Sequence, residues 1–130
     1  MAVPSVATYS ATALVAANTS FRDLIDSGSG AGSVKIRDSA DVLLAQIPLT
    51  DPCGTVNGTT GQLTITASAR DESADATGTA AYGEFCDSTG AVHLALPAQA
   101  GGTAVSGKIV INTLSIIAGA PVELVSATIG

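Results

Sequence analysis

From Ser33 onward the chain alternates apolar and polar residues. Ser33-Val34-Lys35-Ile36-Arg37 puts an apolar side chain at every second position, which predicts a strand with Val34 and Ile36 inward. Val42–Leu49 is apolar on both faces and predicts a more deeply buried strand. Gln62–Ala67 alternates again, with Leu63 and Ile65 inward. Gly78–Cys86 and Ala91–Leu96 flank Asp87-Ser88-Thr89-Gly90, which reads as a hairpin connection. Val105–Asn112, Leu114–Ile117 and Val122–Ile129 supply the last strands. Turns are expected at Asp38–Asp41, Thr50–Gly54, Asn57-Gly58 and Gly119–Pro121, with loops at 68–77 and Pro97–Gly102. Seven or eight short strands spaced by roughly 8–12 residues predict an all-β fold, a single antiparallel β-sandwich or jelly roll.

The first part of the chain follows another period. Phe21, Leu24 and Ile25 fall on one helical face, Thr19 or Ser20 can cap the helix, and Asp23 suits its first turn. Gly28-Ser29-Gly30-Ala31-Gly32 ends it, because glycine tolerates the left-handed backbone of a helix terminus. A short helix is therefore expected at 20–27. Residues 1–19 show neither stripe nor alternation and read as an arm, with Ala11–Ala17 able to extend the helix backward. The expected organisation is an arm at 1–19 and one sandwich domain at 20–130.

Composition sharpens this. The 130 residues fit one domain. Ala, Gly, Ser and Thr make up half the chain, charged residues are 12% and aromatics 3%. So little charge cannot cover the surface, which leaves a neutral surface or one covered by partners. The net charge of −6 opposes a phosphate backbone, so no nucleic-acid partner is expected. No apolar run reaches the ~20 residues of a membrane helix, so no membrane association is expected either. The N-terminal stretch lacks the basic start of a signal peptide. Cys53 and Cys86 are expected as reduced, buried thiols, with a disulfide between them as the alternative.

Candidate chemistry is sparse. A Ser-His-Asp or Cys-His site has to use His93, the one histidine, which shares a strand face with Ala91 and Ala95 and reads as a half-exposed sheet residue. Asp71, Glu72 and Asp75 lack calcium-loop spacing and read as a solvated loop. Gly28–Gly32 lacks the strand, the lysine and the spacing of a phosphate cradle. Asn18-Thr19-Ser20 and Asn57-Gly58-Thr59 fit the glycosylation pattern, which matters only in a secreted chain. Tyr82 and Phe85 lie three apart in one strand, hence on opposite faces, so at least one belongs to the core. No catalytic residue, cofactor or metal site is expected.

Phe21–Gly32 followed by Val34-Lys35-Ile36 resembles a family of small tailed-bacteriophage proteins in which a short helix ending in D-x-G-S-G-A-G leads into the first strand. Ala45–Gly54, Ser73–Ala80 and Ile116–Ile129 resemble the same family, so the likeness spans about 20–130. The resemblance implies a non-enzymatic virion component, of the head-decoration (cement) kind, and carries over no functional residues. The implied partners are the major capsid protein and copies of the chain itself, as a homo-oligomer such as a trimer. The implied location is the capsid exterior, after synthesis in the host cytoplasm. Val3, Val6, Leu14 and Val15 of the arm are the expected partner contacts. Two alternatives stay open: a tail, collar or baseplate component, and a secreted carbohydrate- or receptor-binding sandwich.

Overall fold

Ser10 accepts a hydrogen bond from the Ala13 N–H (3.2 Å) and starts a helix, α1 (Ala11–Ile25), well before the expected cap at Thr19 or Ser20. The structure, a computed structural model, describes residues 8–130. The alanine-rich 11–17 stretch has high helix propensity, and propensity decides where no apolar stripe guides the reading. Asp23 consequently lies near the C-terminal end of α1 instead of in its first turn. Arg22 also lies there, where a cation complements the helix dipole.

Nine strands follow: β1 (Ser33–Arg37), β2 (Leu43–Val56), β3 (Leu63–Ala67), β4 (Gly78–Thr79), β5 (Tyr82–Cys86), β6 (Val92–Ala100), β7 (Ile109–Ile111), β8 (Ser115–Ile116) and β9 (Leu124–Ile129). Seven of them close into a barrel in the order β1-β2-β3-β9-β7-β6-β5, while β4 and β8 form a separate ribbon. The all-β expectation holds, but the sheet closes on itself instead of splitting into two layers. β2 explains much of the closure. It does not break at Thr50–Gly54 but continues through a cis Asp51–Pro52 bond. Its first half pairs with β1 and its second half with β3, with a register shift between Leu49 and Gly54. One strand thus serves both walls, as barrel corners require.

Other boundaries move for local reasons. β6 runs on to Ala100, and Pro97 stands where its partner changes from β5 to β7. The β6–β7 pairing is parallel, whereas the other ladders are antiparallel. The expected Gly78–Cys86 strand splits at Ala80, whose N–H donates to Leu114 O (2.8 Å) in the ribbon.

Inside the barrel the alternation holds: Val34, Ile36, Leu63 and Phe85 are fully buried and Ile65 nearly so. Gly83 faces the same interior. A Cβ there would stand 2.4 Å from Ile109 Cδ1 and 3.2 Å from Ile36 Cδ1, so the missing side chain makes room for these two. Gly54 lies so near β3 that a Cβ would stand 2.2 Å from Thr64 O. Val42–Leu49, expected to be buried on both faces, exposes Gln46 and Pro48. Leu44 and Ala45 are buried side by side because the β1–β2 register shifts there, and Leu44 turns beneath Gly78.

The two ends are covered differently. At one end, Ile25 lies against Gly32, the Phe21 and Phe85 rings meet edge to face at 6.0 Å, and Leu14 lies against Gly61 and Gly130. Buried Asn18 donates to Gly61 O (2.7 Å) and Ile129 O (3.0 Å), which fastens α1 to the turn before β3 and to β9. The 74–80 segment and the β4–β8 ribbon cover the opposite end, where Ile116 and Ala80 are buried.

Candidate functional site

The richest polar cluster stands on the β5–β6 hairpin. Asp87 opens the turn, and its Oδ1 accepts from Thr89 N–H (2.9 Å), Thr89 Oγ1–H (2.6 Å) and Ala91 N–H (3.1 Å). Its Oδ2 lies 2.9 Å from His93 Nε2. A register shift between the Phe85–Leu94 and Cys86–Val92 pairs leaves His93 unpaired in the ladder and turns it toward Asp87. The Thr89 hydroxyl and then the imidazole hold the Asp87 carboxyl well below the usual carboxylate range. His93 is thus the half-buried sheet residue expected, with a carboxylate partner that the sequence reading missed. The signal was present: Asp two residues before Thr in a turn ending at Gly is the pattern of a side chain capping its own turn.

A His–Asp pair suggests nucleophile activation only if a hydroxyl or thiol stands at the far ring nitrogen. The nearby groups are committed elsewhere. Ser88 Oγ–H donates to Ser27 O (3.0 Å), Thr89 Oγ1–H to Asp87, and Cys86 Sγ lies 3.8 Å from Glu84 O. The pair holds the hairpin, and Ser88 fastens it to the segment after α1. Beside the hairpin lies an open depression of about 610 Å³, lined by Lys35, Gln46, Asp71, Asp75, Ser88 and Thr89 among others. Asp71 is more than a solvated loop residue. Its carboxylate accepts from Gln46 N–H (2.9 Å) and Ser73 N–H (3.0 Å), which pins the 68–77 loop to β2. Glu72 pairs with Arg70 in solvent. Among the described residues, no group of three or more His, Cys, Asp or Glu side chains is arranged to hold a metal ion.

A second cluster lies toward the opposite end. Arg37 forms an ion pair with Glu84 across β1 and β5, and its Nη1–H donates to Asp41 O (3.0 Å). Tyr82 donates its hydroxyl proton to Asp41 Oδ1 (2.6 Å), which pushes the phenol up to about 12. The ring is thereby tied to the turn, while Phe85 is the one of the two that goes to the core.

Both thiols are free and buried. Burial, with the nearby Asp26 carboxylate, pushes Cys53 up to about 12. Cys86 is also raised, chiefly by burial. Neither has thiolate character at neutral pH. Asn18 of the first glycosylation pattern is buried with its amide donating to two carbonyls, whereas Asn57 caps an exposed turn through Thr59 and Thr60 N–H.

Of the expected partner contacts, Leu14 and Val15 are half-buried in α1. Val3 and Val6 lie outside the described residues. What the sequence did not single out is β6. Its nine residues include none that is buried, although Leu94, Leu96 and Ala98 pack against the core. Val92 is 47% exposed, and Ala91 and Ala95 are also exposed. Val92 and Ala95 therefore meet solvent on either side of His93, whose imidazole is tied to Asp87. No helix among the described residues is long and apolar enough to cross a membrane. Comparison with protein-family models, with curated proteins and with solved structures gives no match.

Proposed function

We propose that the chain is a non-enzymatic structural protein of a bacteriophage virion, a decoration protein that binds the outside of the assembled head. The barrels pack laterally, and the N-terminal segment ties each copy to a neighbour in the shell. The observation that carries this reading is β6, a nine-residue strand rich in apolar residues of which none is buried and in which Val92 is 47% exposed. Exposed apolar surface costs free energy in water, which a partner that covers it relieves. The low charge of the chain and its resemblance to small phage proteins supply the setting. The net charge of −6 suits the exterior better than contact with packaged DNA. Two reduced thiols suit synthesis in a reducing cytoplasm.

A protein that binds only the assembled shell stabilises it by mass action. Purified protein added to heads that lack it should co-sediment saturably with them, not with free capsid subunits, and raise their disruption temperature. Deleting residues 2–7 should abolish occupancy while the barrel unfolds at an unchanged temperature. Failure of the intact protein to bind heads contradicts the reading. Binding confined to tails, at tens of copies or fewer, moves it to the tail class.

A further inference from the structure

The chain contains three asparagines, and the fold treats them differently. Asn18 is buried in α1, and its side-chain nitrogen is held by Gly61 O and Ile129 O. Asn112 is exposed, but Thr113 follows it, and a stiff β-branched side chain crowds the main-chain nitrogen there. Asn57 is exposed and is followed by Gly58. Among the described residues, nothing lies within 4 Å of where a Gly58 Cβ would stand. The Gly58 peptide nitrogen therefore has open space in which to swing toward the Asn57 side chain.

The turn between β2 and β3 places donors on both carbonyls of Asn57. Oδ1 accepts from Thr59 N–H (2.8 Å) and Thr60 N–H (3.0 Å). The main-chain oxygen accepts from Gly61 N–H (2.8 Å). These bonds stand where negative charge develops when the Gly58 nitrogen attacks the side chain. Loss of the Gly58 proton spreads charge onto the Asn57 main-chain oxygen, which the Gly61 N–H stabilises. Attack on Cγ then moves the charge to Oδ1, where two donors are already in place, as in an oxyanion hole.

We propose that Asn57 is a site of spontaneous deamidation, a slow covalent modification directed by its own turn. Solvent hydroxide takes the Gly58 N–H proton, and the nitrogen forms a bond to Asn57 Cγ. The Cγ–Nδ2 bond breaks, Nδ2 takes a proton from water, and ammonia leaves a cyclic succinimide. Water then adds to either ring carbonyl. Breaking the new Cγ–N bond gives an aspartyl residue at position 57. Breaking the bond between the nitrogen and the main-chain carbonyl carbon gives an isoaspartyl residue, whose main chain runs through Cβ and Cγ. Both products add a negative charge to the net −6. Only the isoaspartyl product lengthens the backbone, and it displaces the turn whose Gly61 carbonyl receives Asn18. The modification thus loosens the seat of α1. It needs no partner and is independent of the virion reading.

The test keeps the native full chain at neutral and at mildly alkaline pH and then cuts it after its basic residues. Arg22, Lys35, Arg37, Arg70 and Lys108 put the three asparagines in separate peptides, 1–22, 38–70 and 109–130. The expected result is the amide-to-acid mass shift in the 38–70 peptide, about tenfold faster than in the other two, faster at the higher pH and resolved into two isomers. Gly58 has no positive φ and stands in open space, so Gly58→Ala fits the turn. Its Cβ crowds the attacking nitrogen and should slow the conversion about tenfold. Amide exchange along α1 should be faster in the isoaspartyl fraction than in the unmodified protein. Equal conversion of the three asparagines, an aspartyl product alone, or an Asn57 that converts in urea but keeps its amide in the native chain overturns the proposal.

Discussion

β2 and β6 are the two long strands of the barrel, and they are opposites. β2 buries six of its fourteen residues and pairs with β1 and β3; β6 buries none of its nine and, among the described residues, pairs first with β5 alone and then with β7. Both are rich in apolar residues, so hydrophobicity does not separate them. Coverage does: β2 lies under α1 and the 74–80 segment, whereas β6 lies under nothing among the described residues. Similar composition therefore leads to different burial, because among the described residues only β2 has elements packed over it.

Disturbing the β2 side should cost most. Gly54→Ala drives a Cβ into the main chain at Thr64, where no side chain can yield. We expect a loss of about 3 kcal/mol, the upper range for overpacking, read by denaturant unfolding. Leu63→Ala, on the strand that β2 pairs with, removes a fully buried side chain and should cost about 3 kcal/mol, whereas Leu94→Ala on β6 should cost about 1 kcal/mol in the isolated protein. Equal losses would erase the distinction between the two walls.

Asn18→Ala leaves the Gly61 and Ile129 carbonyls without their donor and should cost about 2 kcal/mol, loosening α1 before the barrel. Amide exchange should rise first along α1.

The smallest effects should be those of pH. The Asp87 carboxyl is held low in the folded chain, so its contribution is fully present above its unfolded pKa of ~3.9 and disappears as pH falls through the lower folded value. Asp87→Asn should be less stable at neutral pH and should flatten the acid limb. Cys53 works in the opposite direction. Its thiol form is favoured by folding, so stability should decline as pH rises from 9 toward 12, and Cys53→Ala should flatten that limb.

The sequence revealed local order and concealed long-range order. Val34, Ile36, Leu63 and Ile65 announced their inward faces because strand period is local. The start of α1 was hidden because Ala11–Ala17 carries propensity without a stripe. Barrel closure was hidden because it depends on β2 passing through Pro52-Cys53-Gly54, which reads as a break, and on β6 meeting β7 in parallel. Asp87 was legible as a turn residue, but its hold on His93 needed the register shift that turns the imidazole. The open side of Val92–Leu96 is an absence of pairing among the described residues, and no residue pattern signals an absence.

If the barrel decorates a phage head as proposed, imaging of the particle will show its density at equivalent positions over the outer head surface, on the order of hundreds of copies. Purified particles with no trace of the chain would contradict it.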